Sequence, residues 1–339
     1  MRHPRLSAVT FPAPLLAGRA LPRALPPLVA VAHGSTDPRA GATITRLMSL
    51  VGDLAGRSGL AGLDTRTAYL GHAPPSVTQV LGALAAPAAG AGRPGSGRAG
   101  PGRPAARPRP VVVLPLLLTA AYHSETDLPA LLGAARGALP GLQISYGEPL
   151  GPHPLLLRAL DRRLAECGAP AAPGTSDPGI TQRPGPLPGG QRPARPGPLP
   201  SSPGNIAVVL ASAGSGRPAA NAAIARLAAS WQAARGWRAV VPAYAAAQAP
   251  DPATAVSALL RGGAPCVLVA TYLLAPGVFA DQVTAAALGA GAAGVSGVLG
   301  AAPEVAEVIL ARYAAAMPRS GGMEAGRAGD DQRETGSCR

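Results

Sequence analysis

Five histidines stand in this 339-residue chain, at positions 3, 33, 72, 123 and 153, and all fall in its first half. His33 ends the run Leu28-Val-Ala-Val-Ala-His33-Gly34-Ser35, and His123 comes five residues after the apolar run Val111 to Leu118. If both runs are buried strands of one parallel sheet, both imidazoles leave the sheet at strand C-termini, where open α/β sheets hold their ligands. Two imidazoles on one rim form a candidate metal pair. Their nitrogens suit Fe, Co, Ni and Zn, and two ligands leave most coordination positions open for exchange. Each histidine could equally be a loop residue satisfied by nearby backbone, and the residues alone leave both readings open. His153, in Gly151-Pro-His-Pro, reads as a residue that shapes a helix start.

The elements that must position these groups occur twice. Leu28 to Ser35 is echoed by Ile206-Ala-Val-Val-Leu-Ala-Ser-Ala213-Gly214-Ser215, and Val111 to Leu118 by Cys266 to Leu274, with no histidine in the second copy. Short apolar runs alternate with longer helix-like stretches, the pattern of a parallel sheet covered on both faces. The spacing predicts strands at 28–32, 65–70, 111–118 and 143–146, with helices at 38–57, 76–85, 127–138 and 153–166. In the second copy it predicts strands at 206–211, 239–243, 265–273 and 296–299, with helices at 218–235, 252–261, 278–290 and 303–316. Asp127 and Asp251, each close before a proline, are expected to cap their helices through the side chain.

The expected organisation is a disordered extension over 1–27, a first domain at 28–167 carrying the site, a linker at 168–204, a histidine-free domain at 205–317 and a frayed tail at 318–339. Within the first domain, 86–110 is Gly, Pro, Ala, Ser and Arg with too little apolar bulk to offset the entropy of ordering it, and reads as an inserted loop.

All 30 basic residues are arginine, and more than half lie in these low-complexity segments, so the formal charge of +13 is a weak clue and the folded parts are close to neutral. Only 3% of residues are aromatic, which speaks against a nucleic-acid face built from basic and stacking groups. With no lysine in the chain a P-loop is excluded. Cys167, Cys266 and Cys338 are odd in number and widely spaced, consistent with a reducing cytoplasm. Prolines interrupt the short apolar run near Leu15, and no window has the roughly 18 apolar residues of a membrane span.

Val31-Ala-His33-Gly34-Ser35, then Tyr69-Leu70-Gly71-His72-Ala73-Pro74-Pro75-Ser76, then Leu114 to Pro129 with Thr119, His123 and Asp127, then Ile144-Ser-Tyr-Gly-Glu-Pro-Leu-Gly151-Pro-His153-Pro154 resemble the successive motifs of the sirohydrochlorin chelatases of CbiX/SirB type, in their two-copy form. The resemblance implies an α/β fold of two tandem chelatase-like domains, each a four-stranded parallel sheet with helices on both faces. It implies insertion of a divalent ion, Fe2+ or Co2+, into sirohydrochlorin without a nucleotide, with iron slightly preferred by analogy to the two-copy form. His33 and His123 would hold the metal and carry the catalysis. Many relatives have a glutamate where this chain has Gly71. His72 next to it is a candidate third ligand, although strand alternation would turn neighbouring residues to opposite faces; Glu125 is another acidic candidate. Gly34, Ser35 and Ser215 lie in strand-to-helix turns that could receive substrate carboxylates or could simply be tight turns. Arg39 and Arg217 could pair with those carboxylates or be solvated surface groups. The substrate is then the expected partner, with no nucleic acid, no membrane and a monomer. A non-catalytic carrier of metal or tetrapyrrole is the alternative, favoured by the absent carboxylate at Gly71, and a structural pair of α/β domains with incidental histidines is a third reading.

Overall fold

The computed structural model describes residues 24–86, 108–119, 126–169 and 199–318. The first copy runs β1 (Leu28–Ala32), α1 (Pro38–Arg57), β2 (Thr65–Tyr69), α2 (Val77–Ala85), β3 (Arg109–Pro115), α3 (Leu128–Ala138), β4 (Leu142–Tyr146) and α4 (Pro154–Ala165). The second runs β5 (Ile206–Ser212), α5 (Pro218–Arg235), β6 (Ala239–Tyr244), α6 (Pro252–Arg261), β7 (Cys266–Tyr272), α7 (Val278–Gly289), β8 (Gly294–Val295) and α8 (Pro303–Ala316). Each copy is a four-stranded parallel sheet, in the orders β2-β1-β3-β4 and β6-β5-β7-β8. The expected fold class is therefore observed.

The central strands are apolar on both faces because both are covered: every residue of β1, β5 and β7 is buried. Val29, Val31, Val111 and Val113 pack outward against α2 and α3, and their counterparts Ala207, Val209, Val267 and Val269 against α6 and α7. The inward faces of both sheets share one continuous core with α1, α4, α5 and α8. The fourth helices are exchanged: α4 packs on β7 of the second sheet and α8 on β3 of the first. Tyr313 of α8 reaches through to donate to the Pro26 carbonyl (2.7 Å). Asp161 of α4 accepts from Trp231 Nε1 (3.1 Å) and Arg235 Nε (2.8 Å) of α5. Burial pushes the Asp161 carboxyl up from the ordinary carboxylate range, against the pull of Arg235.

Some expectations are corrected. Leu25 packs against the core and Pro26 is buried, so both residues, read as part of the extension, belong to the fold, while residues 1–23 lie outside the described set. β3 begins at Arg109, inside the segment read as an insert, because Arg109 and Pro110 pair with Leu142 and Gln143; residues 87–107 lie outside the described set. The same strand ends at Pro115 rather than 118. β8 is Gly294–Val295, not 296–299, because the Ser296 hydroxyl takes the Thr271 N–H (2.9 Å) that a ladder would have given to a carbonyl. Asp251 caps α6 by accepting from Thr254 N (3.0 Å), but Asp127 is already helical (φ −68°, ψ −51°) and makes no side-chain capping bond. Capping requires an extended residue whose side chain can turn back on the first amides.

Candidate active site

β1 and β3 are hydrogen-bonded neighbours from Leu28↔Val112 to Val31↔Pro115, so the chain leaves both at one rim. There β1 gives way to His33 and Gly34. Gly34 has φ +91°, and a Cβ on it would stand 1.7 Å from the Gly71 carbonyl oxygen. Only glycine lets the two rim loops lie against each other. The contact is closed by bonds from Leu70 N to the Ala32 carbonyl (3.0 Å) and from Gly71 N to the His33 carbonyl (3.1 Å).

One residue further, His72 adopts a left-handed backbone with φ 61°, and its ring centroid lies 6.1 Å from that of His33 with the planes 19° apart. The alternation argument fails here because β2 ends at Tyr69, and beyond it no pleat governs which way His72 turns. With metal–nitrogen bonds of about 2.1 Å, two imidazoles on one ion place their centroids roughly 4.5–6.5 Å apart, a range that includes this pair. His123 and Glu125 lie outside the described residues. Among the described residues, no group of three or more His, Cys, Asp or Glu converges as a metal site, and Gly71 supplies no carboxylate.

The second copy repeats the framework without the imidazoles. Gly214 has φ +86° with its virtual Cβ 2.1 Å from the Ala246 carbonyl oxygen, and Ala246 N donates to the Ala213 carbonyl (3.0 Å). Ala213 stands where His33 does, and Ala247, with φ 63°, where His72 does.

Both rims open onto one cleft of about 550 Å3, lined by His33, Ser35 and Ile44 from the first copy and Ser215, Asn221 and Phe279 from the second. Its walls are mainly apolar, and Val278 and Phe279 on the first turn of α7 remain 67% and 45% exposed. Ser35 Oγ accepts from Asp37 N (3.0 Å) and Ser215 Oγ from Arg217 N (3.1 Å), so each serine shapes its own turn. Asn221 holds Ser215 from both sides, its Oδ1 accepting from Ser215 N (3.1 Å) and its Nδ2 donating to the Ser215 carbonyl (2.6 Å). Arg217 Nη2 donates to Thr126 Oγ1 (3.0 Å) across the copies. The Arg39 guanidinium, a candidate either for substrate carboxylates or for solvent, lies between two carboxylates: Nη2 is 2.6 Å from Asp37 Oδ2 and 2.5 Å from Asp281 Oδ2. Arg39 holds the Asp37 carboxyl below the usual range.

The sequence reading did not single out Asn221, Phe279 or Asp281. Asn221 alone had a local signal, a polar break in an alanine-rich helix. Asp281 is 242 residues from Arg39, and nothing local marks their pairing.

The model of the CbiX family matches residues 104–167 and 207–316, just over half of the chain. The chain belongs to the CbiX family. It is 40% identical over 58 residues to a sirohydrochlorin cobaltochelatase of Priestia megaterium, covering 17% of this chain and 19% of that protein. It is 33% identical over 60 residues to a sirohydrochlorin ferrochelatase of Bacillus subtilis, covering 18% and 23%. The chain thus matches these curated relatives over about a fifth of their length. The fold extends much further: a solved structure of SirB from Bacillus subtilis with Fe3+ superposes with a TM-score of 0.61 at 19% identity, covering 85% of this chain and 94% of that one. CbiX membership agrees with the resemblance carried by the motifs around His33, His72 and His123. No helix among the described residues is long and apolar enough to cross a membrane.

Proposed function

We propose that this CbiX protein inserts a divalent metal, Fe2+ or Co2+, into sirohydrochlorin, working as a cytoplasmic monomer without a nucleotide. The observation that carries this reading is the pair of histidine rings, 6.1 Å apart, of which His33 lines an apolar cleft shared by the two copies. His33 and His123 hold the incoming ion, and His72, whose ring is near that of His33, is a third ligand. An imidazole that has released its ion is free to accept a proton near neutral pH. Two pyrrole N–H protons must leave the macrocycle as one M2+ enters, so ligands that let go of metal become the bases that take the protons. The apolar walls suit the faces of a tetrapyrrole, and Gly34, Ser35 and Ser215 approach its peripheral carboxylates from the two strand-to-helix turns.

The missing carboxylate at Gly71 favours one alternative, a carrier that binds metal or tetrapyrrole without joining them. Anaerobic incubation of the protein with sirohydrochlorin and Fe2+ and Co2+ in competition separates the two readings. Insertion converts the absorbance to that of the metallated ring, at a rate that falls at least a hundredfold in His33→Ala; a carrier binds with no spectral conversion beyond the uncatalysed rate.

A further inference from the structure

Arg39 and Asp281 meet between the two copies, each beside residues that line the cleft. Arg39 follows directly after the N1 proline of α1, next to the cleft-lining Ala40 and Gly41; Asp281 is on the first turn of α7, next to the cleft-lining Phe279 and Ala280. The contact is bidentate, with Nη1 on Oδ1 at 3.2 Å and Nη2 on Oδ2 at 2.5 Å. Both side chains are more than half exposed, at 54% and 57%. Both groups stay in contact with solvent, which screens their attraction, so an incoming carboxylate can compete for the fork. Asp37 differs: it is 18% exposed, caps α1 through the Arg39 amide, and grips the same guanidinium from the side of its own copy. Arg39 is thus held by a carboxylate of its own copy and shared with a second, more exposed one from the other copy, beside residues that line the cleft.

We propose that Asp281 is a built-in stand-in for a substrate carboxylate: it keeps the Arg39 fork oriented while the cleft is empty and yields it to a peripheral carboxylate of the tetrapyrrole on binding. No covalent bond is made or broken; one carboxylate replaces another on the same pair of N–H donors, with Asp37 held throughout. Asp281 is a positioning residue that acts only through Arg39. The inference rests on the cleft being the sirohydrochlorin site.

The test is the affinity for metal-free sirohydrochlorin, read from its fluorescence on titration with the full chain. Asp281→Asn removes the competitor and should tighten binding about twofold to fivefold, the range that corresponds to an exposed pair. Arg39→Ala should weaken it about tenfold or more, as expected for loss of a charge-assisted fork, and adding Asp281→Asn to Arg39→Ala should change nothing further. With the ring's carboxylates methyl-esterified, the gain from Asp281→Asn should vanish. Weaker or unchanged binding in Asp281→Asn overturns the exchange and makes the pair a mere staple between the copies, while a wild-type protein that does not bind the ring overturns the assignment of the cleft itself.

Discussion

Gly34 is the residue on which the approach of His33 and His72 depends. It combines φ +91° with a virtual Cβ 1.7 Å from a backbone oxygen, and backbone cannot swing aside as a long side chain can. Gly34→Ala is expected to destabilise the protein by about 2–4 kcal/mol through strain and clash, seen as a lowered Tm. Where the variant still folds, it should lose the proposed metal insertion through the displaced histidine pair. Single residues were legible in the sequence when their role followed from their own loop. His33 and Gly34 announce themselves after a buried strand. The placement of His72 did not, because its direction is set by a left-handed turn and by bonds between two loops, neither of which follows from the alternation of a strand.

At the scale of elements, His153 shows how a histidine can serve the fold. It N-caps α4, its Nδ1 accepting from Leu155 N at 3.2 Å, and this requires the neutral ring. Burial, with a smaller contribution from Arg312, lowers its pKa below the ordinary histidine value. A base whose pKa is depressed by folding contributes stability that is complete above the unfolded value of about 6.5 and is lost as the pH falls below it. Asn accepts the same cap bond without titrating, so His153→Asn should keep the Tm at pH 7.5 and flatten its decline between pH 7 and 5 relative to wild type. Most element boundaries could be read from the chain, since Pro at N1 marks α1, α4, α5, α6 and α8 and the buried strands are uninterrupted apolar runs. Others turned on details that periodicity does not carry: the pairing of Arg109 and Pro110 that starts β3 early, the Ser296 hydroxyl that closes β8 early, and the helical backbone of Asp127 that takes its side chain out of capping range.

For the whole molecule, the exchange of α4 and α8 makes the copies mutually dependent. Each would expose part of its inner sheet face alone, and the Arg162–Glu304 and Arg312–Glu148 pairs and the Tyr313 bond to Pro26 would be broken. Residues 24–169 and 199–318 produced as separate chains should each be aggregation-prone, and when produced together should form a one-to-one complex on size exclusion. Soluble, cooperatively melting halves would contradict this. The duplication was visible in the sequence, but the exchange was not, because helical periodicity tells which face of a helix is buried and not which sheet it covers. Its consequence reaches past stability. A symmetric pair of identical modules has to carry every amino-acid replacement on both sides of its axis, whereas two unequal modules locked into one chain can divide the labour. Here one module carries alanine at positions 213 and 247, where the other carries imidazoles at 33 and 72, within the same repeated framework.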